Sequence, residues 1–133
     1  MIDANTVVSA ALNPDGIPRR AIAAARATGS IALSDPVYRE MAEVLARPKF
    51  AKALTADRRR DILELLAAAA VWVEPRETVT DCRDAKDNCC LELALAAKAA
   101  VIVSGDEDLL VLDPWRGIRV LRPARYLDWL GAG

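Results

Sequence analysis

Residues 101–110 read VIVSGDEDLL, and this stretch decides the fold class. Val101–Ser104 is a short apolar run, which is typical of a strand buried on both faces. Gly105 ends the run, and a short helix is predicted over Asp106–Leu112. A fully buried strand that leads at once into a helix indicates a parallel sheet covered by helices.

The same alternation runs through the rest of the chain. Strands are predicted at Met1–Asp3, Ile31–Ser34, Val71–Val73, Val101–Ser104 and Ile118–Leu121. Helices are predicted at Pro18–Thr28, Pro36–Ala46, Ala56–Ala70, Ala85–Ala99 and Pro123–Leu130, with a short helical piece at Phe50–Leu54. This order predicts a three-layer α/β/α fold with a central, mostly parallel sheet of about five strands. The 133 residues contain no repeat or linker, so a single domain is expected over 1–133.

Composition narrows the possible chemistry. The formal net charge of -1 argues against a protein coated in positive charge. We see no signal peptide and no apolar run of the ~18 residues that a membrane-spanning helix needs, so we expect a cytoplasmic protein. The absence of histidine excludes His-based acid–base catalysis and imidazole zinc ligands. Cys82, Cys89 and Cys90 are odd in number and lack C-x-x-C spacing, which argues against a disulfide framework or a structural zinc site and predicts free thiols.

Two acids follow predicted strands. Ligands of parallel sheets bind beyond the carboxyl ends of the strands. Asp3 ends the first predicted strand and Asp106 follows the fourth by two residues, so both should lie at one edge of the sheet. Each alone is equally typical of a turn or a helix cap. The pair is what favours a functional site.

Two helices contribute further acids. Glu40 lies at the border of the apolar stripe of its helix and could reach inward, although a surface ion pair with Arg39 remains open. Asp87 lies on the inward stripe of the helix that follows it. Asp84 lies near the same line, and a capping role for Asp84 and Asp87 is also open.

Carboxylates that converge without His or Cys suit hard cations such as Mg²⁺ or Mn²⁺. Without a cation they would repel one another and raise some of their own pKa values. With one, the site can activate water and stabilise in-line displacement at phosphorus. Asn5 and Ser104 are suited to orient ligands and water.

Four segments, in this order, resemble the PIN-domain ribonucleases and in particular the VapC-like toxin branch of type II toxin–antitoxin systems. They are DANTVVSA (3–10), REMAEVLARPKF (39–50), CRDAKDNCCLELALAAKA (82–99) and VIVSGDEDLLVL (101–112). The resemblance implies a Mg²⁺- or Mn²⁺-dependent endoribonuclease, often a homodimer, inhibited by a small antitoxin protein in its active-site groove. It implies catalytic metal ligands at Asp3, Glu40, Asp87 and Asp106, with Asn5 and Ser104 in supporting positions and Asp84 and Asp108 as auxiliary acids.

The chain departs from the family pattern in three places. Only two residues precede Asp3, so the first strand is short. Ser104 stands where many relatives have Thr. Cys89 and Cys90 stand where apolar or aromatic residues are common, and we interpret them as core packing.

Contact with RNA requires positive charge near the acids. Arg83 and Lys86 flank Asp87, and Arg47 and Lys49 follow the Glu40 helix. We predict that these four basic residues contact phosphates. The denser basic run at residues 58–60 is interpreted as a solvated helix face.

Two other functions fit the sequence. A phosphatase could use Asp3 as a nucleophile in a D-x-D-x-T pattern, but Asn5 replaces the second Asp, which would be the general acid. A catalytically silent module could keep the PIN fold and bind RNA or regulate a partner without cutting. Divalent-metal binding that depends on Asp3 and Asp106 separates the silent module from the nuclease.

Overall fold

The structure is a computed structural model that describes the backbone of residues 1–132 and the side chains of residues 1–131. The helices are α1 (Ala4–Leu12), α2 (Ile17–Thr28), α3 (Asp35–Leu45), α4 (Ala56–Ala69), α5 (Asn88–Ala97), α6 (Glu107–Leu110) and α7 (Pro123–Ala132). The strands are β1 (Ile31–Leu33), β2 (Ala70–Trp72), β3 (Val101–Val103) and β4 (Arg119–Leu121). Short 3-10 turns cover Pro48–Phe50 and Ala85–Asp87.

The strands are parallel and short, with three residues each. β1 pairs with β2, and β3 pairs with β4. Ile2 joins β3 on its other side through a parallel bridge, in which the Asp3 N–H donates to the Val103 carbonyl at 3.1 Å. All five predicted strand segments are therefore present. Within the described residues they hydrogen-bond as two parallel groups, and the second group brings the end of the first strand beside the end of β3.

Most predicted helices form within two residues of their expected ends, and two differ by more. The short helical piece predicted at Phe50–Leu54 is instead a 3-10 turn over Pro48–Phe50 that is followed by further turns. The helix predicted over Ala85–Ala99 begins instead as a 3-10 turn, and α5 starts only at Asn88. The turn forms because the Asp84 carboxylate accepts a hydrogen bond from the Lys86 N–H at 3.1 Å. The helix predicted over Asp106–Leu112 shortens to α6, with Asp106 as its N-cap.

Helix α1 was not predicted. It begins directly after Asp3, and its buried residues lie on most of its circumference: Ala4, Thr6, Val7, Val8, Ala10 and Ala11. A helix buried on most sides has only a narrow polar stripe, here Asn5 and Ser9, so it lacks the clear amphipathic period by which helices are recognised in sequence. It packs against α2 and α3, which fixes the direction of the chain just after Asp3.

The core is formed by fully buried side chains on both sides of the strands, including Ile22, Leu33, Met41, Leu91 and Ile102. Helix α5 packs against β1 and α3, and α7 packs against α2 and β4. Among the described residues no helix combines the length and apolarity needed to cross a membrane. This packing sets α3, α5, the start of α1 and the end of β3 around one edge of the strands.

Candidate metal centre

Asp3 is a buried carboxylate held by both of its oxygens. Its Oδ1 accepts the Thr6 N–H at 2.9 Å, so it caps α1. Its Oδ2 lies 2.5 Å from Ser104 Oγ. The side chain is only 4% exposed. Burial raises the pKa of Asp3, and the hydrogen bonds from Ser104 and Thr6 oppose that shift.

Ser104 connects Asp3 to Asp106. Ser104 Oγ accepts the Asp106 N–H at 3.0 Å, so its own hydrogen is directed to Asp3. Asp106 in turn caps α6 by accepting the Asp108 N–H at 2.9 Å. The carboxyl end of β3 thus positions two acids through one hydroxyl group, and the expectation that Asp3 and Asp106 lie at one edge agrees with this geometry.

The four acids line one cavity of about 90 Å³. Asp3 comes from the end of the first strand, Glu40 from α3, Asp87 from the turn before α5, and Asp106 from the loop after β3. The other lining residues are Ala4, Asn5, Val44, Arg47, Asp84, Lys86 and Cys90. Four segments that are distant in sequence therefore bring carboxylates to one small space.

Burial and the close approach of the acids raise the pKa of Asp87. Its pKa is raised to about 7, first by burial and then by its contact with Asp106 and the charges of Asp106, Asp84 and Asp3. Because the acids interact, this titration belongs to the cluster as much as to Asp87 alone. A bound cation would relieve the repulsion that raises it.

A second oxygen cluster adjoins the first. Oxygen atoms of Asp84, Asp87 and Asp108 lie within 4.8 Å of one another. Asp84 also caps the 3-10 turn, so the capping role left open by the sequence is present together with its place at the cavity. These donors are all carboxylates, which fits a hard divalent cation.

The PIN domain family matches residues 1–108 of the chain. The protein belongs to the PIN-domain family. An uncharacterized protein of Methanocaldococcus jannaschii is 31% identical to it over 114 residues, which cover 84% of this chain and 73% of that protein. No solved structure matches the chain significantly. Family membership confirms the PIN resemblance and the α/β/α class.

PIN domains are generally metal-dependent nucleases, and the cavity has the donor set that such chemistry requires. Asn5 and Ser104, which were expected in supporting positions, differ in their surroundings: Ser104 is buried beside Asp3, and Asn5 is exposed where it lines the cavity. Among the ion pairs of the described residues, none joins Glu40 to Arg39. The inward position of Glu40 is the one that the structure has.

The four predicted RNA contacts divide into two groups. Arg47 and Lys86 line the same cavity as the four acids. Arg83 is exposed and lies outside the lining, and Lys49 places its ammonium 5.1 Å from the Phe50 ring centroid. Only the first two therefore stand next to the carboxylates.

Two of the three cysteines lie closer to the acids than core packing alone implies. The three thiols are free, as predicted, and Cys90 is buried, as core packing requires. Cys90 nevertheless lines the cavity of the four acids, and the Cys89 thiol donates to Glu40 Oε2 at 3.2 Å. The pKa of Cys90 is raised well above its usual value by the adjacent Cys89 thiol and by burial. Its spacing of three residues from Asp87 on one helical face was the available signal.

Replacing Ser104 with alanine is expected to reduce divalent-metal affinity by about 10–100-fold, because Ser104 orients Asp3 and also accepts the Asp106 N–H. The unsatisfied N–H should lower the free energy of unfolding by about 1–3 kcal/mol. Calorimetric Mn²⁺ titration and urea unfolding measure the two effects, and Ser9→Ala on the exposed side of α1 is the matched control. Wild-type Mn²⁺ affinity in Ser104→Ala would contradict the positioning role.

Proposed function

We propose that this protein is a Mg²⁺- or Mn²⁺-dependent endoribonuclease that cleaves RNA phosphodiester bonds at the cavity lined by Asp3, Glu40, Asp87 and Asp106. The observation that supports it most directly is the convergence of these four acids on about 90 Å³. Membership of the PIN-domain family supports the same reaction class.

In this proposal the four acids hold the cation, with Asp84 and Asp108 as auxiliary carboxylates. When bound, the cation would supply Lewis acidity and positive charge for displacement at phosphorus. Ser104 fixes the Asp3 carboxylate, so both oxygens keep their orientation while charge develops nearby. Asn5 is exposed at the cavity and offers an amide to the substrate or to water.

Two observations speak against the other functions that fit the sequence. A phosphatase of the D-x-D-x-T type would need a carboxylic acid two residues after Asp3, but the cavity residue at that position is Asn5, which cannot act as the general acid. A catalytically silent module could lose one of the acids without consequence, whereas in this protein all four acids are present and line the same cavity. The nuclease is the function that this arrangement favours.

The proposal is tested by incubating the purified chain with a mixture of cellular RNAs. We expect endonucleolytic cleavage with Mg²⁺ or Mn²⁺, and loss of cleavage with excess EDTA that is restored by added Mn²⁺. Cleavage that persists in EDTA would sink the metal-dependent mechanism, and its absence with both cations would sink the nuclease.

Arg47 is the cavity residue best placed to contact a phosphate. Arg47→Ala should weaken RNA binding at moderate salt and reduce the slope of log K against log salt by about one, because one phosphate contact is lost. Fluorescence anisotropy with a labelled single-stranded RNA in Ca²⁺ measures both quantities. The control is Arg26→Ala, which removes an exposed arginine near the end of α2. Equal salt slopes for the two variants would contradict a phosphate contact by Arg47.

We further propose that the whole chain, 1–133, is one PIN domain that acts in the cytoplasm as the toxin of a type II toxin–antitoxin pair. The ordered motifs at 3–10, 39–50, 82–99 and 101–112 support the toxin branch. Packing of α7 on α2 and β4 supports one domain.

The proposal includes a homodimer, tested by light scattering, and a cognate antitoxin protein. Induced expression should arrest growth, whereas the Asp3→Asn variant should not.

A further inference from the structure

Two adjacent cysteines stand in the wall between two cavities. Cys89 lines an open groove of about 690 Å³ between the start of α3 and the chain that follows β2. Cys90, the next residue, lines the small cavity of the acids. Glu40 also lines that small cavity, and its Oε2 accepts the Cys89 thiol at 3.2 Å. The two thiols and Glu40 therefore join the groove to the acidic centre.

The three side chains form a compact ligand set. One sulfur each from Cys89 and Cys90 and one oxygen of Glu40 lie within 4.8 Å of one another. Two sulfurs bound tetrahedrally to zinc at about 2.3 Å stand ~3.8 Å apart, so closing the set requires shifts of at most about 1 Å. Both cysteines lie in the first turn of α5, so one short segment supplies both sulfurs.

The two thiols make this ligand set chemically softer than the carboxylate centre, so the two sites prefer different cations. Thiolates select Zn²⁺ and its heavier analogue Cd²⁺, whereas Mg²⁺ and Mn²⁺ prefer oxygen. The sequence argued against a structural zinc site because no C-x-x-C spacing occurs. The structure supplies the missing ligand from Glu40, which is 49 positions before Cys89. Three protein ligands leave a fourth position for water.

We propose that a thiophilic divalent cation, Zn²⁺ or Cd²⁺, binds to Cys89, Cys90 and Glu40 and inhibits the protein by taking Glu40 away from the carboxylate centre. Each thiol loses one proton to solvent on binding, and no group is oxidised or reduced. The cation enters from the groove side, where Cys89 is only half-buried. The inhibition rests on the proposed nuclease function, but the binding does not.

Binding is tested with the full chain and Cd²⁺ alone, using the ultraviolet charge-transfer absorption of cadmium thiolates. We expect one equivalent to bind, and Cys89→Ser and Cys90→Ser each to weaken affinity at least about tenfold. Cys82→Ser is the control, since it removes a buried thiol outside the set. Cys89→Ser keeps the test decisive if Cys90→Ser folds poorly. Absence of the absorption, or wild-type affinity in both variants, overturns the site.

Capture of Glu40 is tested without activity, by calorimetric titration of Mn²⁺ into protein that carries one equivalent of Zn²⁺. Zn²⁺ should lower Mn²⁺ affinity at least about tenfold in the wild type and should have little effect in Cys89→Ser. Equal effects in both would overturn the capture of Glu40. In a Mg²⁺-supported cleavage assay the same Zn²⁺ should inhibit the wild type more than Cys89→Ser. A protein that binds Cd²⁺ as expected but never cleaves RNA refutes the nuclease and leaves the thiol site standing.

Discussion

The Asp3→Asn variant is expected to lose RNA cleavage by at least about 10²-fold and to remain as stable as the wild type or become more stable. Activity falls because an amide oxygen is a weaker, uncharged ligand, and charge stabilisation by a catalytic cation amounts to several kcal/mol. Asn is isosteric with Asp and is an equally good helix cap, so the Thr6 N–H keeps its acceptor. The amide nitrogen then takes the position of Oδ2, and the Ser104 hydroxyl accepts from it after rotating its own hydrogen away.

The stability of Asp3→Asn follows from the direction of the pKa shift. Burial raises the pKa of Asp3 in the folded state, so the carboxylate binds protons more tightly when folded than when unfolded. The metal-free wild type therefore loses stability as pH rises above the unfolded pKa of about 3.9. Asn carries no charge and avoids that loss at neutral pH.

Both halves of this expectation are measured on the same preparation. Cleavage rates with Mn²⁺ give the activity, and thermal unfolding in EDTA at pH 7.5 gives the stability. Asp15→Asn, which changes an exposed acid in the loop before α2, should alter neither. A variant that still cleaves, or one that unfolds well below the wild type, would show that Asp3 serves the fold rather than the chemistry.

The sequence predicted those elements whose patterns are local. Val101–Val103 is apolar throughout, and a strand buried on both faces is the simplest structure for a short run of that kind. Helix α3 keeps its buried residues at helical spacing, so its bounds differ from the prediction by one residue. The sequence pattern did not predict helix α1, because burial on most sides removes the hydrophobic period that identifies a helix. Pairing of the strands is a non-local property that no single segment contains.

The candidate site was predictable to the extent that strand ends share an edge. Asp3 and Asp106 followed from that rule, and Glu40 from its place at a stripe border. The hydroxyl bridge through Ser104 did not follow, because its bond to Asp3 joins residues 101 positions apart. Cys89 and Cys90 were interpreted by their apolar character alone, and only the packing of α5 on α3 sets their thiols against Glu40.

Asp87→Asn is expected to remove the part of the pH-dependent stability that Asp87 gives to the metal-free protein. The folded pKa of Asp87 is about 7, well above the unfolded value, so protonation stabilises the folded state. That stabilisation is complete below the unfolded pKa and is lost as pH rises toward 7. Because Asp87 is partly exposed, solvent screening reduces the loss to about 1–2 kcal/mol. In EDTA at pH 8, Asp87→Asn should exceed the wild type by that amount, and the two should converge near pH 4.

Mg²⁺ should act in the opposite direction, because a cation requires the ionised carboxylate. In the wild type the stabilisation by Mg²⁺ should therefore grow from pH 5.5 to pH 8, reaching about 2.7 kcal/mol at a concentration 100 times the dissociation constant. In Asp87→Asn it should be smaller and should vary less with pH. Urea unfolding of both proteins at the two pH values, with and without Mg²⁺, measures the free energy of unfolding under each condition. Asp128→Asn on the exposed side of α7 is the control for the loss of a surface charge. A Mg²⁺ effect that is equal at both pH values would mean that the cation does not compete with the proton at Asp87, since these two ligands oppose each other only if they share the carboxylate.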